Sequence, residues 1–165
     1  MVKIEEVFIE SSDVIACLIR EANATVAVEF GINQTNCPKH PSFCENSWVE
    51  ADFQRGERYF LLTENDQPLA CVAYEIPNNN GATRKAYLNR LSVLPEEQNK
   101  GIGSQLVEHV ITLAQSDYLD IISIGVIAQH TWLQQWYERL GFVKSGIRHF
   151  DHLPFDVTYM TYNLS

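Results

Sequence analysis

Gln98-Asn99-Lys100-Gly101-Ile102-Gly103 is the stretch whose residue types could do chemistry on their own. Two glycines one residue apart let the backbone approach a ligand closely and leave amide N–H groups pointing outward. Before them, Leu88, Leu91, Val93 and Leu94 form a short apolar run that Pro95 stops, which is the length and terminator of a buried strand. After them, Ile102, Leu106, Val110, Leu113 and Ala114 recur at helical spacing. A strand, a glycine turn and a helix in this order set unpaired N-terminal amides and the positive end of the helix dipole against the turn. That arrangement suits phosphate or pyrophosphate. Two phosphate loops are excluded. A P-loop requires Lys-Ser or Lys-Thr after the second glycine, where Ser104-Gln105 stands. A dinucleotide fingerprint requires a third glycine near Leu106.

Cys37, His40 and Cys44 have the spacing of zinc ligands, but no fourth ligand lies nearby in sequence. Pro38 and Pro41 forbid regular structure there, so Cys37 to Cys44 reads as an ordered loop forming one wall of a pocket, with no metal assigned. Cys17 and Cys71 sit in apolar segments and read as buried small hydrophobes.

The elements that must position these groups follow from patterning. Val2 to Phe8 alternates as a first strand. Ser11-Ser12-Asp13 offers N-caps for a helix through Ile19 that fades at Ala22-Asn23-Ala24, with loop or irregular helix from Thr25 to Asn36. Asn46 or Ser47 can cap a short helix closed by Gly56. Tyr59 to Thr63 and Leu69 to Ile76 are strands around an Asn65-Asp66-Gln67-Pro68 turn, and Pro77 to Gly81 is a flexible loop. Leu119 to Ile127 is nearly continuously apolar and reads as a strand buried on both faces. Ala128-Gln129-His130-Thr131 opens a helix that Gly141 stops, and Phe142 to Phe150 and Val157 to Leu164 close the sheet around the Leu153-Pro154-Phe155 bend.

A chain of 165 residues suits one domain, taken as 1–165, with a proper core. A net charge of −9 argues against non-specific nucleic-acid binding and is compatible with a cationic acceptor, though solubility alone accounts for it equally well. No apolar run is long enough to span a bilayer, and the N-terminus carries acids where a signal peptide would be basic. The expectation is a cytoplasmic protein with neither membrane nor nucleic-acid partners.

The Gln-x-x-Gly-x-Gly turn after Leu91-Ser92-Val93-Leu94-Pro95 resembles the acetyl-CoA pyrophosphate loop of the GNAT superfamily of N-acetyltransferases. Tyr137-Glu138-Arg139-Leu140-Gly141-Phe142 resembles that family's Tyr-x-x-x-Gly-Phe signature, and the element order β-α-α-β-β-β-α-β-α-β-β matches over the whole chain. The resemblance implies an α/β (α+β) fold: a mixed, mostly antiparallel sheet with helices on both faces, splayed where acetyl-CoA binds as co-substrate.

It further implies that the backbone of Gln98, Asn99, Lys100, Gly101, Ile102, Gly103 and Ser104 holds the pyrophosphate, and that Leu91 and Val93 pair with the pantetheine arm. Tyr137 stands where the family donates a proton to the departing thiolate. His130 stands where the family commonly has a cofactor-contacting Asn. The family's carboxylate base on the fourth strand is replaced here by Tyr87 and Asn89. Asn89 can hold a water but cannot itself take a proton, while Glu75 and His152 are the nearest candidate bases by topology. The implied activity is acetyl transfer to a primary amine, with a small-molecule acceptor favoured over a protein. The alternative is a catalytically weak acyl-CoA sensor. A homodimer is compatible with the resemblance.

Overall fold

The computed structural model describes residues 1–78 and 81–164. The chain runs β1 (Val2–Val7), α1 (Ser12–Glu29), α2 (Asn46–Gln54), β2 (Arg58–Glu64), β3 (Gln67–Glu75), β4 (Lys85–Val93), α3 (Ile102–Ser116), β5 (Ile121–Ile127), α4 (Thr131–Arg139), β6 (Val143–Arg148) and β7 (Val157–Asn163). The order matches the expected one. The strands form one seven-stranded sheet, β1-β2-β3-β4-β5-β7-β6, in which only the β4–β5 pair is parallel.

Period-two alternation divides the strands between two cores. On one face Phe60, Leu62, Val72, Tyr74 and Leu88 meet Leu106, Val107 and Val110 of α3 and Tyr137 of α4. On the other, Tyr59, Leu61, Cys71 and Ala73 meet Ile15, Leu18 and Ile19 of α1 and Val49 of α2. The small Cys71 and Ala73 give the helices room to approach. A third cluster gathers Ala27, Ile32 and Cys37 with Phe30, Phe43, Ile127, Leu153 and Phe155. The Cys37–Cys44 loop and the bend before β7 thus meet at the end of β5.

Several expectations need correction. The first helix does not fade at Ala22 but continues to Glu29, because Ala22 and Ala27 are buried and its face goes on packing. Neither Ser11 nor Asn46 caps through its side chain; Ser12 Oγ instead donates back to Ile9 O, and Glu45 holds the N-cap position of α2. The first hairpin turns on Asn65 and Asp66 alone, both at positive φ, so Gln67 and Pro68 already belong to β3. β5 is buried on one face only: Ile122, Ile124 and Val126 are covered, whereas Gly125 is exposed. α1 and α2 lie over β2, β3 and β4 and leave the matching face of β5 open. Cys17 is exposed and donates to Glu21 at 3.4 Å, while Cys71 is buried as expected. Of the Pro77–Gly81 loop, Asn79 and Asn80 lie outside the described residues.

Candidate active site in the opening between β4 and β5

β4 and β5 pair only through Lys85↔Ile121, Ala86↔Ile122 and Tyr87↔Ser123. Beyond Tyr87 the β5-facing edge of β4 has no strand partner among the described residues, which leaves room for an extended ligand to pair with it. Arg90 sits at φ +57° within a register shift between β3 and β4, which locally bends the strand.

Past the bend lies a cavity of about 390 Å³. Its walls are Ala22, Asn23, Val26 and Glu29 of α1, Leu91, Ser92 and Val93 of β4, the glycine turn, and His130, Leu133 and Trp136. Leu91, Val93, Gln98, Asn99, Gly101, Gly103, Ser104 and His130 are therefore brought together as the sequence anticipated. The Ile102 side chain belongs to the core instead, and Lys100 turns to Glu97 at 2.8 Å, so only their main chains face the turn's task. Gln98 Nε2 donates to Val93 O at 3.3 Å, tying the turn to the strand.

The turn fits a pyrophosphate. Gly101 is the N-cap residue of α3 at φ +80°, a left-handed conformation that L side chains rarely adopt. The first i→i−4 bond of the helix runs from Gln105 N to Gly101 O, leaving the Ile102, Gly103 and Ser104 amides without acceptors inside the helix. A Cβ on Gly103 would lie 3.1 Å from Trp136 Cζ2. Gly103→Val should therefore push the Trp136 ring into the cavity while leaving the fold intact. Calorimetry should show acetyl-CoA affinity down tenfold or more, about 1.4 kcal/mol, and unchanged affinity in the folded variant would remove the turn from the cofactor site.

Tyr137 is 6% exposed, and its ring packs edge-on against Trp136 and Phe142 at centroid distances of 4.9 and 5.3 Å. Among the described residues its hydroxyl has no hydrogen-bond partner. It is not one of the two sealed unpartnered atoms, Thr63 Oγ1 and His109 Nε2, so it reaches solvent. Burial pushes its pKa up, which keeps the phenol protonated. The His130 ring lies between Phe30 and Trp132, and burial lowers its pKa, leaving a neutral imidazole.

The α1–α2 face of the sheet carries a polar network that the sequence did not reveal. Asn89 Nδ2 donates to Glu57 Oε1 at 2.9 Å and to Glu75 Oε1 at 3.1 Å. Glu57 is 4% exposed, and its other oxygen accepts from Arg55 at 2.7 Å. Burial pushes the Glu57 carboxyl up to about 7 against the opposing Asn89 hydrogen bond, and the Asp52 and Glu75 carboxylates add to the rise. Asp52 accepts from Arg55, Arg90 and the Tyr59 hydroxyl. Burial works to raise its pKa, but the Tyr59 hydrogen bond and the Arg90 charge outweigh it and hold Asp52 below the ordinary value. Only the alternation Glu57-Tyr59-Leu61 hints that Glu57 faces inward.

Of the remaining candidates, His152 is exposed and packs edge-on against Phe150. Cys37 and Cys44 belong to different clusters, His40 Nδ1 pairs with Ser42 Oγ at 2.8 Å, and no group of three or more His, Cys, Asp or Glu among the described residues could hold a metal. No helix among the described residues is long and apolar enough to cross a membrane.

Residues 28–142 match the acetyltransferase (GNAT) family, a span that contains the glycine turn, the splayed strands and the Tyr137–Phe142 signature. The chain belongs to the GNAT family. The S-(2-succino)cysteine N-acetyltransferase of Bacillus subtilis is 28% identical over 91 residues, which span 53% of the GNAT chain described here and 55% of that protein. A ribosomal-protein alanine N-acetyltransferase of Escherichia coli is 30% identical over 105 residues, or 61% of this GNAT chain and 68% of that protein. The match thus spans little more than half the length of the first relative. The crystal structure of the Escherichia coli ribosomal-protein alanine enzyme superposes with a TM-score of 0.78 at 19% identity, covering 100% of this chain and 95% of the other. An N-acetyltransferase from Thermoplasma acidophilum in complex with coenzyme A gives 0.78 at 16% identity, covering 99% of each chain. The two superposed enzymes share this chain's fold.

Proposed function

We propose that this chain is an N-acetyltransferase that moves the acetyl group of acetyl-CoA to a primary amine. The supporting observation is the opening between β4 and β5, with an unpaired strand edge on one side and a helix N-terminus with free amides at its end. The co-substrate supplies the thioester. The Ile102, Gly103 and Ser104 amides hold its pyrophosphate, and the free edge of β4 from Leu91 to Val93 aligns the pantetheine arm. Asn99, Gln98 and His130 complete the walls, and Lys100 contributes its backbone. Asn89 lies on the strand just beyond the last β4–β5 pair and orients the acceptor amine or a water beside it. Tyr137 holds a proton for the departing thiolate.

A small-molecule acceptor is favoured by the third cluster, in which the Cys37–Cys44 loop packs against the Leu153-Pro154-Phe155 bend and narrows the end of β5. A protein N-terminus is the second reading, favoured by the 30% identity to the ribosomal-protein alanine enzyme. Thiol release from acetyl-CoA, followed with S-(2-succino)cysteine, simple primary amines and an alanine-initiated peptide, separates the two. Tight acetyl-CoA binding with no acetylated product from any of them would favour a CoA sensor instead.

A further inference from the structure

We propose that Glu57 is a positioning residue that, together with Glu75, locks the Asn89 amide with its carbonyl oxygen presented to the attacking amine. The inference rests on the acetyltransferase reading above and names how that site orients its acceptor.

A side-chain amide has two N–H donors and one carbonyl oxygen. Both donors of Asn89 are spent, one on Glu57 Oε1 at 2.9 Å and one on Glu75 Oε1 at 3.1 Å. With Glu57 ionised, turning the amide over would set its oxygen against two carboxylate oxygens and lose both bonds, so the ionised carboxylate fixes the orientation. Glu57 is the rigid half of the lock. It is 4% exposed, and Arg55 holds its second oxygen at 2.7 Å. Glu75, on the neighbouring strand, is only half-buried.

What remains of Asn89 is Oδ1. Among the described residues it accepts no hydrogen bond, and it is not among the sealed unpartnered atoms, so it opens to solvent. Asn89 lies two residues beyond Tyr87, the last residue of β4 paired with β5, where the strands begin to part. A neutral amine meeting that oxygen donates one N–H to it and is left with its lone pair free for attack. Asn89 takes no proton, and the one lost by the amine leaves through solvent. Replacing Glu57 by glutamine keeps the shape but adds a donor that can face Asn89, so the amide loses its single orientation.

The groups facing Glu57 are Arg55 and Asp52 from the α2 side, Glu75 from β3 and Asn89 from β4, with Arg90 bonded to Asp52 behind them. The Asn89 side-chain NH2 pair in the ¹⁵N-labelled free protein, assigned by its absence in Asn89→Asp, should move with a midpoint near pH 7 as Glu57 ionises. Glu57→Gln should abolish that midpoint. With whichever of S-(2-succino)cysteine or the alanine-initiated peptide the wild type acetylates, Glu57→Gln should lower kcat/KM for the acceptor about tenfold, the size of one lost hydrogen bond. KM for acetyl-CoA should stay unchanged. Any acid limb due to the acceptor's own amine persists in both proteins, whereas the limb due to Glu57 disappears in the variant. Asn89 resonances that are the same in both proteins at every pH would overturn the lock. A rise in acetyl-CoA KM parallel to the acceptor's would reduce Glu57 to a structural residue. Wild type that acetylates neither probe would remove the acceptor role, and the resonances alone would then decide whether the lock exists.

Discussion

Tyr137→Phe is expected to lower kcat about 10²-fold while acetyl-CoA affinity stays as it is, because the substitution removes a proton and nothing else. The ring keeps its edge contacts with Trp136 and Phe142, and among the described residues the hydroxyl has no partner to lose. Thermal stability should therefore change little, which is unusual for a buried tyrosine and is itself a check. A proton donor acts only as the thiolate departs, so kcat and kcat/KM should fall together. Burial raises the Tyr137 pKa, so the wild type should hold the proton well past neutrality and lose activity only on a far alkaline limb. That limb should be absent in the variant when chemistry limits the rate. Near-wild-type turnover by a folded Tyr137→Phe protein would return the residue to the core and leave water as the acid.

The parts of this site legible in the sequence are those that local rules write. Pro95, the Gly101–Gly103 turn and the apolar spacing of α3 each act within a few residues, and all lie where patterning places them. The length of α1 was not legible, since Thr25, Val26 and Val28 are poor helix formers held in the helix by the burial of Ala22 and Ala27. The one-sided burial of β5 escaped for a related reason: an apolar run does not say which of its faces a helix will cover. Glu57 escaped most completely. A glutamate after a glycine reads as a solvated turn residue; Arg55 is its near neighbour in sequence, but only the pairing of β2, β3 and β4 brings Asn89 and Glu75 to it.

Asp52→Ala should cost about 3–5 kcal/mol of folding stability, the range for removing one partner of a buried, hydrogen-bonded charge pair. Asp52 is 2% exposed and carries three donors: Arg55 at 2.6 Å, Arg90 at 3.2 Å and the Tyr59 hydroxyl at 2.5 Å. Without it the Tyr59 hydroxyl is orphaned in a fully buried side chain, and Arg90 loses its only buried anion among the described residues. Arg90 also bears a backbone cost of order 1 kcal/mol for its left-handed φ of +57°, tolerated because Asp52 anchors the side chain. Release of that anchor should let the β4 bend relax, so acetyl-CoA affinity should fall along with stability even though Asp52 does not line the cavity. The pH dependence separates this role from simple packing. The Asp52 pKa is lowered on folding, so its contribution is fully present above the unfolded value of about 4 and is lost as pH falls through the folded one. Glu57 has the opposite sign: its folded value near 7 means stability declines as pH rises from the unfolded value of about 4.3 to 7. Denaturant unfolding across pH should therefore show the Asp52→Ala deficit shrinking toward acid pH, while Glu57→Gln gains on the wild type as the pH climbs from about 4.3 to 7 and levels off above that. A deficit in Asp52→Ala that stays constant down to the acid transition would assign the loss to the cavity left behind rather than to the charge.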